Sequence, residues 1–220
     1  MARILVLGGT RFFGRQLIRA LIRDQHQVTI ATRGQVDDSF GREVTRLTID
    51  RYDPESLRAG IGDACYDIVY DQLCYAPNDA LTAISAFKGR VARYVVTSSM
   101  AVYPDGDAAW AEDGFNPYGY AIRRGNRPEF DYADGKRLAE AVLFQRAPFE
   151  VTAVRLPVVL GVDDYSNRVE FHLERMRAGV PIGFPNPAAY TCFINEHEAG
   201  RFLGWVELPS RVRSTPVPTA

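Results

Sequence analysis

Short, continuously apolar, β-branched runs alternate with segments of helical period for most of this chain, and that rhythm limits its fold more than any other feature. "RILVLG" leads into a helix from about Phe12; "QVTIAT" follows; "VTRLTI" precedes "DPESLRAG"; "YDIVYD" precedes "NDALTAISAF"; "ARYVVTSS" closes the series. A strand wet on one face would alternate apolar with polar residues, so unbroken apolarity means burial on both faces. The pattern predicts an α/β fold, a doubly wound parallel sheet wrapped by helices. At 220 residues the chain can bury one such core with room for a small second lobe. We place the boundary between residues 162 and 163, with 1–162 as the sheet domain and 163–220 as a small lobe segment partly interleaved with it.

After "SSMAVYP" the regularity lapses into about thirty residues rich in Gly, Pro, Asp and aromatics, long enough for a connector to suggest function. Helical period returns in "DYADGKRLAEAVLFQR", and "EVTAVRLPVVLG" reads as another buried strand. "RVEFHLERMRAG" reads as a helix ended by Gly179, "AYTCFI" as a short strand, and "NEHEAGRFLGWVEL" as a last helix capped by Asn195. The tail "PSRVRSTPVPTA" reads as loose.

Composition removes some classes of function. A formal net charge of -1 gives no reason to expect nucleic acid or an anionic membrane as partner. No apolar run approaches the ~20 residues of a membrane span, and no secretory core precedes the strand at Arg3, which implies a cytoplasmic protein. Cys65, Cys74 and Cys192 lie in or beside apolar runs and read as buried thiols. His26, His172 and His197 stand far apart, so no metal ligand set is visible.

The first strand runs into Gly8 and Gly9, and Gly14 follows at the opening of the helix, with Thr10, Arg11, Phe12 and Phe13 between. Glycines at such a junction let backbone amides approach a pyrophosphate, and the helix N-terminus adds roughly half a positive charge. A tight turn without a ligand would carry the same letters. The second strand, "QVTIATRG", ends in Thr32 and Arg33 where NAD-binding folds place a carboxylate against the ribose hydroxyls. With Arg11 also close by, the cation favours NADP over NAD. Asp37 and Asp38 just beyond keep NAD open.

A tyrosine moves a proton at neutral pH only when its phenol is unusually acidic. Lowering a pKa of ~10 to near 7 means stabilising the phenolate by roughly 4 kcal/mol, and an ammonium in a partly dry pocket can supply much of that. "YADGK" puts Tyr132 and Lys136 four apart, on one face of a helix start. Only Lys88 and Lys136 are lysine in this arginine-rich chain, so a compact ammonium retained beside a tyrosine suggests that a guanidinium fork is not wanted there. An ordinary surface helix is the competing reading. Ser99, in "TSSMAVYP", adds a hydroxyl at the C-terminal end of a buried strand, where open parallel sheets bind ligands.

Taken together, "GGTRFFG", "SSMAVYP" and "YADGK" resemble the extended short-chain dehydrogenase/reductase family, in its NAD(P)-dependent epimerase/dehydratase branch. The resemblance implies a Rossmann domain with a small C-terminal substrate lobe that relatives extend further than this chain does. Gly8 and Gly14 match the outer glycines of the family's G-x-x-G-x-x-G, and Arg11 replaces the middle one, so its side chain must point away from the phosphate contact. Ser99, counted back from Tyr103, takes the place of the catalytic Ser or Thr, with Thr97 and Ser98 as neighbours and a slip of one residue left open. Lys136 is implied to bind the nicotinamide ribose, Asp50 to reach the adenine amino group, and Pro157, in "RLPVVLG" with Arg155 and Gly161, to lie beside the nicotinamide. Asp50 could instead cap a helix, a role better suited to Asp53.

The implied chemistry is hydride transfer to or from a hydroxyl or keto group of a small-molecule substrate, such as a nucleotide sugar, in a homodimer. Arg123, Arg124 and Arg127 read as solvated loop charges, with contact to a substrate diphosphate as the other reading. "GGTRFFG" is also similar to the opening of the chloroplast stem-loop RNA-binding proteins, which gives a nucleic-acid alternative that the near-neutral charge argues against. A regulator that binds NADP without turnover is the third reading.

Overall fold

The computed structural model describes residues 1–106, 110–183, 186 and 188–206. Strands β1 (Arg3–Leu7), β2 (Gln27–Thr32), β3 (Val44–Thr48), β4 (Tyr66–Asp71), β5 (Val91–Ser99) and β6 (Glu150–Leu156) form one parallel sheet in the order β3-β2-β1-β4-β5-β6. Helices α1 (Phe12–Arg23), α2 (Pro54–Ile61), α3 (Pro77–Phe87) and α4 (Tyr132–Arg146) connect the strands.

Burial on both faces is visible residue by residue. Along β1, Ile4 and Val6 join the core that holds Leu17, Ile18 and Leu21 of α1, while Leu5 and Leu7 join the opposite core with Leu57, Ala83, Val142 and Leu143 of α2, α3 and α4. The strand order reverses between β1 and β4, the kind of crevice in which doubly wound sheets hold ligands. Local signals fix the helix starts. Asp53 accepts from Glu55 N ahead of Pro54 at the head of α2, and Asp131 accepts from Asp134 N (2.7 Å) at the head of α4.

Beyond β6 lie β7 (Val158–Leu160), α5 (Arg168–Arg177), β8 (Phe193–Asn195) and α6 (Glu196–Trp205). "EVTAVRLPVVLG" is two strands, not one: Pro157 has no N–H to give a ladder, and β7 leaves the main sheet to pair in parallel with β8. The expected strand "AYTCFI" shrinks to its last two residues plus Asn195, with Tyr190 exposed. Asn195 caps α6 through Glu198 N at 2.8 Å. Although α6 comes from the last segment of the sequence, it packs on α1; Gly200 faces Gln16 and Leu17, and Ala199 and Leu203 join the α1 core. By contrast α5 buries none of its residues.

The expectation of three buried thiols fails for two of them. Cys65 and Cys192 are exposed and only Cys74 is buried, because the first sits in irregular backbone just ahead of β4 and the second in the irregular approach to β8. The tail 209–220 lies outside the described residues. No helix among the described residues is long and apolar enough to cross a membrane.

Candidate active site

The C-terminal edge of the sheet opens into a cavity of about 730 Å³, within the range of small-molecule sites. Gly8, Gly9, Thr10, Arg11, Phe12, Phe13, Thr32, Arg33, Asp50, Ser99, Tyr132, Lys136 and Pro157 all line it. Gly14 does not. It sits in the first turn of α1, where a Cβ would come within 2.7 Å of Gly9 Cα, so its lack of a side chain lets the helix close on the turn.

The turn itself needs glycine at Gly8 and Gly9, whose φ values are near +90°. Arg11 needs none: its φ of -132° and ψ of 154° are ordinary extended backbone, and its guanidinium lies 5.7 Å over the Tyr165 ring. The unusual backbone comes one residue later. Phe12 has φ +52°, a left-handed conformation costing roughly 1–2 kcal/mol for a non-glycine residue, and it is held there by a buried ring packed edge-on against Phe13 and Tyr165.

At the end of β2, Thr32 Oγ1 accepts from Gly34 N, and Arg33 is exposed on the cavity rim. Asp38 is engaged elsewhere, in a 2.6 Å ion pair with Arg46, and neither Asp37 nor Asp38 lines the cavity. Asp50 lines the cavity and also accepts from Tyr52 N at 2.9 Å.

Tyr132 is the first residue of α4 and is 52% exposed; Lys136, one turn on, is 2% exposed. The ammonium donates to Cys74 O (2.7 Å) and Thr97 O (2.8 Å), which leaves one of its three protons for the cavity. Burial pushes Lys136 down to about 8. Its nitrogen lies 4.2 Å over the Tyr75 ring and 6.0 Å over that of Tyr132. Gly135 allows this close seat, since a Cβ there would press on the Tyr75 carbonyl.

The three hydroxyls that end β5 differ in environment. Ser98 is buried and donates to Glu140, itself gripped by Arg155 at 2.8–3.2 Å. Ser99, only partly buried, accepts from Ala101 N at 3.2 Å. Thr97 Oγ1, Gln72 Nε2 and Arg51 Nη1 are buried without a hydrogen-bond partner among the described residues, and all three side chains line the cavity. Such orphaned donors fit a site completed by a polar ligand.

Sequence reasoning missed two buried ionic networks. Arg51 pairs with Asp71 at 2.5 Å and donates to Asp79 O, while Tyr94 donates to the same Asp71 carboxylate. Arg155 joins Glu140 to Tyr103 and to the carbonyls of Glu112 and Phe115, and so ties α4 to the irregular segment; it is a brace, although its strand leads into Pro157. The available signal was a carboxylate inside an apolar run, at Asp71 and Glu140, since a buried charge needs a partner.

The family model for the NAD dependent epimerase/dehydratase family matches residues 4–182. The chloroplast stem-loop binding protein of 41 kDa b of Arabidopsis thaliana is 28% identical over 199 residues, 84% of this chain and 49% of that protein. A 2'-dehydrokanamycin reductase of Streptomyces kanamyceticus is 32% identical over 98 residues, 44% of this chain and 28% of the reductase. The chain thus spans at most about half the length of these relatives. Among solved structures, a UDP-glucose 4-epimerase of Thermus thermophilus in complex with NAD superimposes with a TM-score of 0.68 at 16% identity, covering 93% of this chain and 74% of that one. A UDP-glucose 4-epimerase of Thermotoga maritima with UDP-glucose gives 0.66 at 16% identity, with 90% and 71% covered. At these identities the likeness shows the fold.

Proposed function

The chain belongs to the NAD-dependent epimerase/dehydratase family, and on that premise we propose that it binds NADP in the cavity and carries out oxidation, reduction or epimerisation at a hydroxyl or keto carbon of a small molecule such as a nucleotide sugar. The carrying observation is that Ser99, Tyr132 and Lys136 share one cavity with the glycine turn. Bound nicotinamide supplies or accepts the hydride. Tyr132 moves the matching proton to or from the substrate oxygen, and Ser99 Oγ hydrogen-bonds that same oxygen. Lys136, fixed by two carbonyls, offers its remaining N–H and its charge to the ribose hydroxyls and the phenolate. Arg33 at the end of β2 and Arg11 in the turn favour the extra phosphate of NADP, and Asp38, held by Arg46, leaves the β2 terminus without a competing carboxylate.

The test is hydride exchange between NADPH and a panel of keto sugars and nucleotide sugars. Tyr132→Phe lowers turnover at least a hundredfold, the low end of general acid–base contributions, with NADPH affinity unchanged. Retained turnover in that variant overturns the proton-transfer role.

A second reading is favoured by one observation: the relative aligned over 84% of this chain is a stem-loop binding protein. On that reading the fold binds structured RNA. Affinity for a stem-loop RNA that falls steeply with salt supports it, and no binding at low salt removes it.

A further inference from the structure

Six cationic side chains line the cavity: Arg11, Arg33, Arg51, Arg127, Lys136 and Arg168. Three of them are already engaged. Arg51 pairs with the buried Asp71, Arg168 lies 3.3 Å from Asp164, and Lys136 donates to two carbonyls. Arg11, Arg33 and Arg127 have no carboxylate within ion-pair distance among the described residues. Arg11 and Arg33 come from the two turns already discussed. Arg127 comes from a single 3-10 turn (Arg127–Glu129) five residues ahead of Tyr132.

Arg127 is exposed, as a solvated loop charge would be, but it is not without an aromatic contact. Its guanidinium lies 4.4 Å over the Tyr75 ring, the ring that also carries Lys136 Nζ at 4.2 Å. Two cations over one ring, with no carboxylate paired to Arg127, repel each other until an anion arrives between or beside them. A planar guanidinium resting on an aromatic face still presents its N–H edge, the geometry that suits phosphate. Tyr52, just beyond β3, lines the same cavity as Arg127.

The segment carrying it is tied to α3 by neutral hydrogen bonds and to α4 by the ion pair of Arg123 with Asp134. Asn78 at the head of α3 bonds Asn126 at 3.0 Å and exchanges bonds with the Gly125 backbone. At the other end is Asp131, the cap of α4, and then Tyr132.

We infer that Arg127 binds a phosphate of the dinucleotide from beside the Tyr75 ring, and that this contact fixes the segment leading into Tyr132 once cofactor is bound. The inference rests on the proposed dinucleotide site. It adds a residue that holds cofactor and links its binding to the placement of the catalytic helix.

The test uses the full chain and its Arg127→Ala and Arg127→Lys variants, titrated with NADPH, NADH and UDP, with amide hydrogen exchange followed over 8–14 and 125–135. Arg127→Ala weakens NADPH about tenfold and Arg127→Lys less, while both apo variants melt with the wild type. A loss confined to NADPH assigns the 2′-phosphate; a loss shared by NADH assigns the diphosphate. Saturating NADPH slows exchange over both segments in the wild type, but only over 8–14 in Arg127→Ala. Unchanged NADPH affinity in Arg127→Ala, or a loss seen for UDP alone, overturns the inference and leaves the dinucleotide site standing. If the wild type binds neither NADPH nor NADH, the functional reading fails and this inference falls with it.

Discussion

Lys136 is where residue-scale physics meets the proposed chemistry most directly. An ammonium 2% exposed would be costly without partners, and two backbone carbonyls at 2.7 and 2.8 Å supply them. They do not cancel the burial, which pushes the group from 10.5 down to about 8. Between those values the unfolded chain binds a proton that the folded chain lacks. Lys136 therefore makes stability rise with pH from about 8 to 10.5, and below 8 its charge is a standing cost to the fold. Any step that needs the ammonium weakens as pH passes 8. The chain has only one other lysine, so ¹³C-labelled lysine gives two resolvable Cε signals. One titrates with a midpoint near 8 and disappears in Lys136→Met; a Lys136 signal that does not titrate near 8 would show that the site is wetter than its geometry implies.

At the scale of elements, the α1–α6 contact shows what sequence could and could not reveal. Periodicity marked both helices, and Asn195 marked the start of the second, because caps and amphipathic spacing are local. That α6 would lie on α1 was not legible, since a docking partner is a non-local property. The same limit hid the split at Pro157, where one apolar run serves two sheets, and the salt bridges of Asp71 and Glu140, whose partners lie 20 and 15 residues away. Cys65 and Cys192 misled for a related reason: an apolar neighbourhood in sequence did not become one in space. The glycine turn, Tyr132 and Lys136 were legible because their spacing is short, whereas Tyr75 and Arg127 meet only once β4 and α4 are assembled. Gly200 is the residue on which the helix contact depends; a Cβ there would stand 2.7 Å from Leu17 N and 2.8 Å from Gln16 C, both backbone atoms that cannot turn aside. Gly200→Ala lowers the urea midpoint by the equivalent of about 1–3 kcal/mol, the usual cost of overpacking. Gly183→Ala, with open space around it, leaves the midpoint unchanged. Equal midpoints for the two variants would mean that α6 docks less closely than described.

Among the described residues the six-stranded sheet carries a core on each face, and the cavity lies at its C-terminal edge. Residues following β1, β2, β3, β4, β5 and β6 all reach it, together with Tyr165 ahead of α5 and Arg168 at its first position. A ligand lying there touches both halves, so its binding energy adds to the cooperativity of the entire sheet. Linkage gives the size: at a hundred times its dissociation constant, a dinucleotide stabilises the fold by about 2.7 kcal/mol, a rise in melting temperature of roughly 5–10 °C for a chain of this length. NADP and NAD would both give such a rise. The proposed preference for NADP rests on the guanidinium of Arg33 at the β2 terminus, where Asp38 is paired with Arg46. NADPH therefore raises the melting temperature of the wild type more than NADH does at equal concentration, and Arg33→Ala brings the two shifts together by lowering the NADPH response. Equal shifts in the wild type would remove the phosphate preference while leaving the dinucleotide site intact, and a larger NADH shift would mean that another group, Asp50 foremost, holds the ribose hydroxyls.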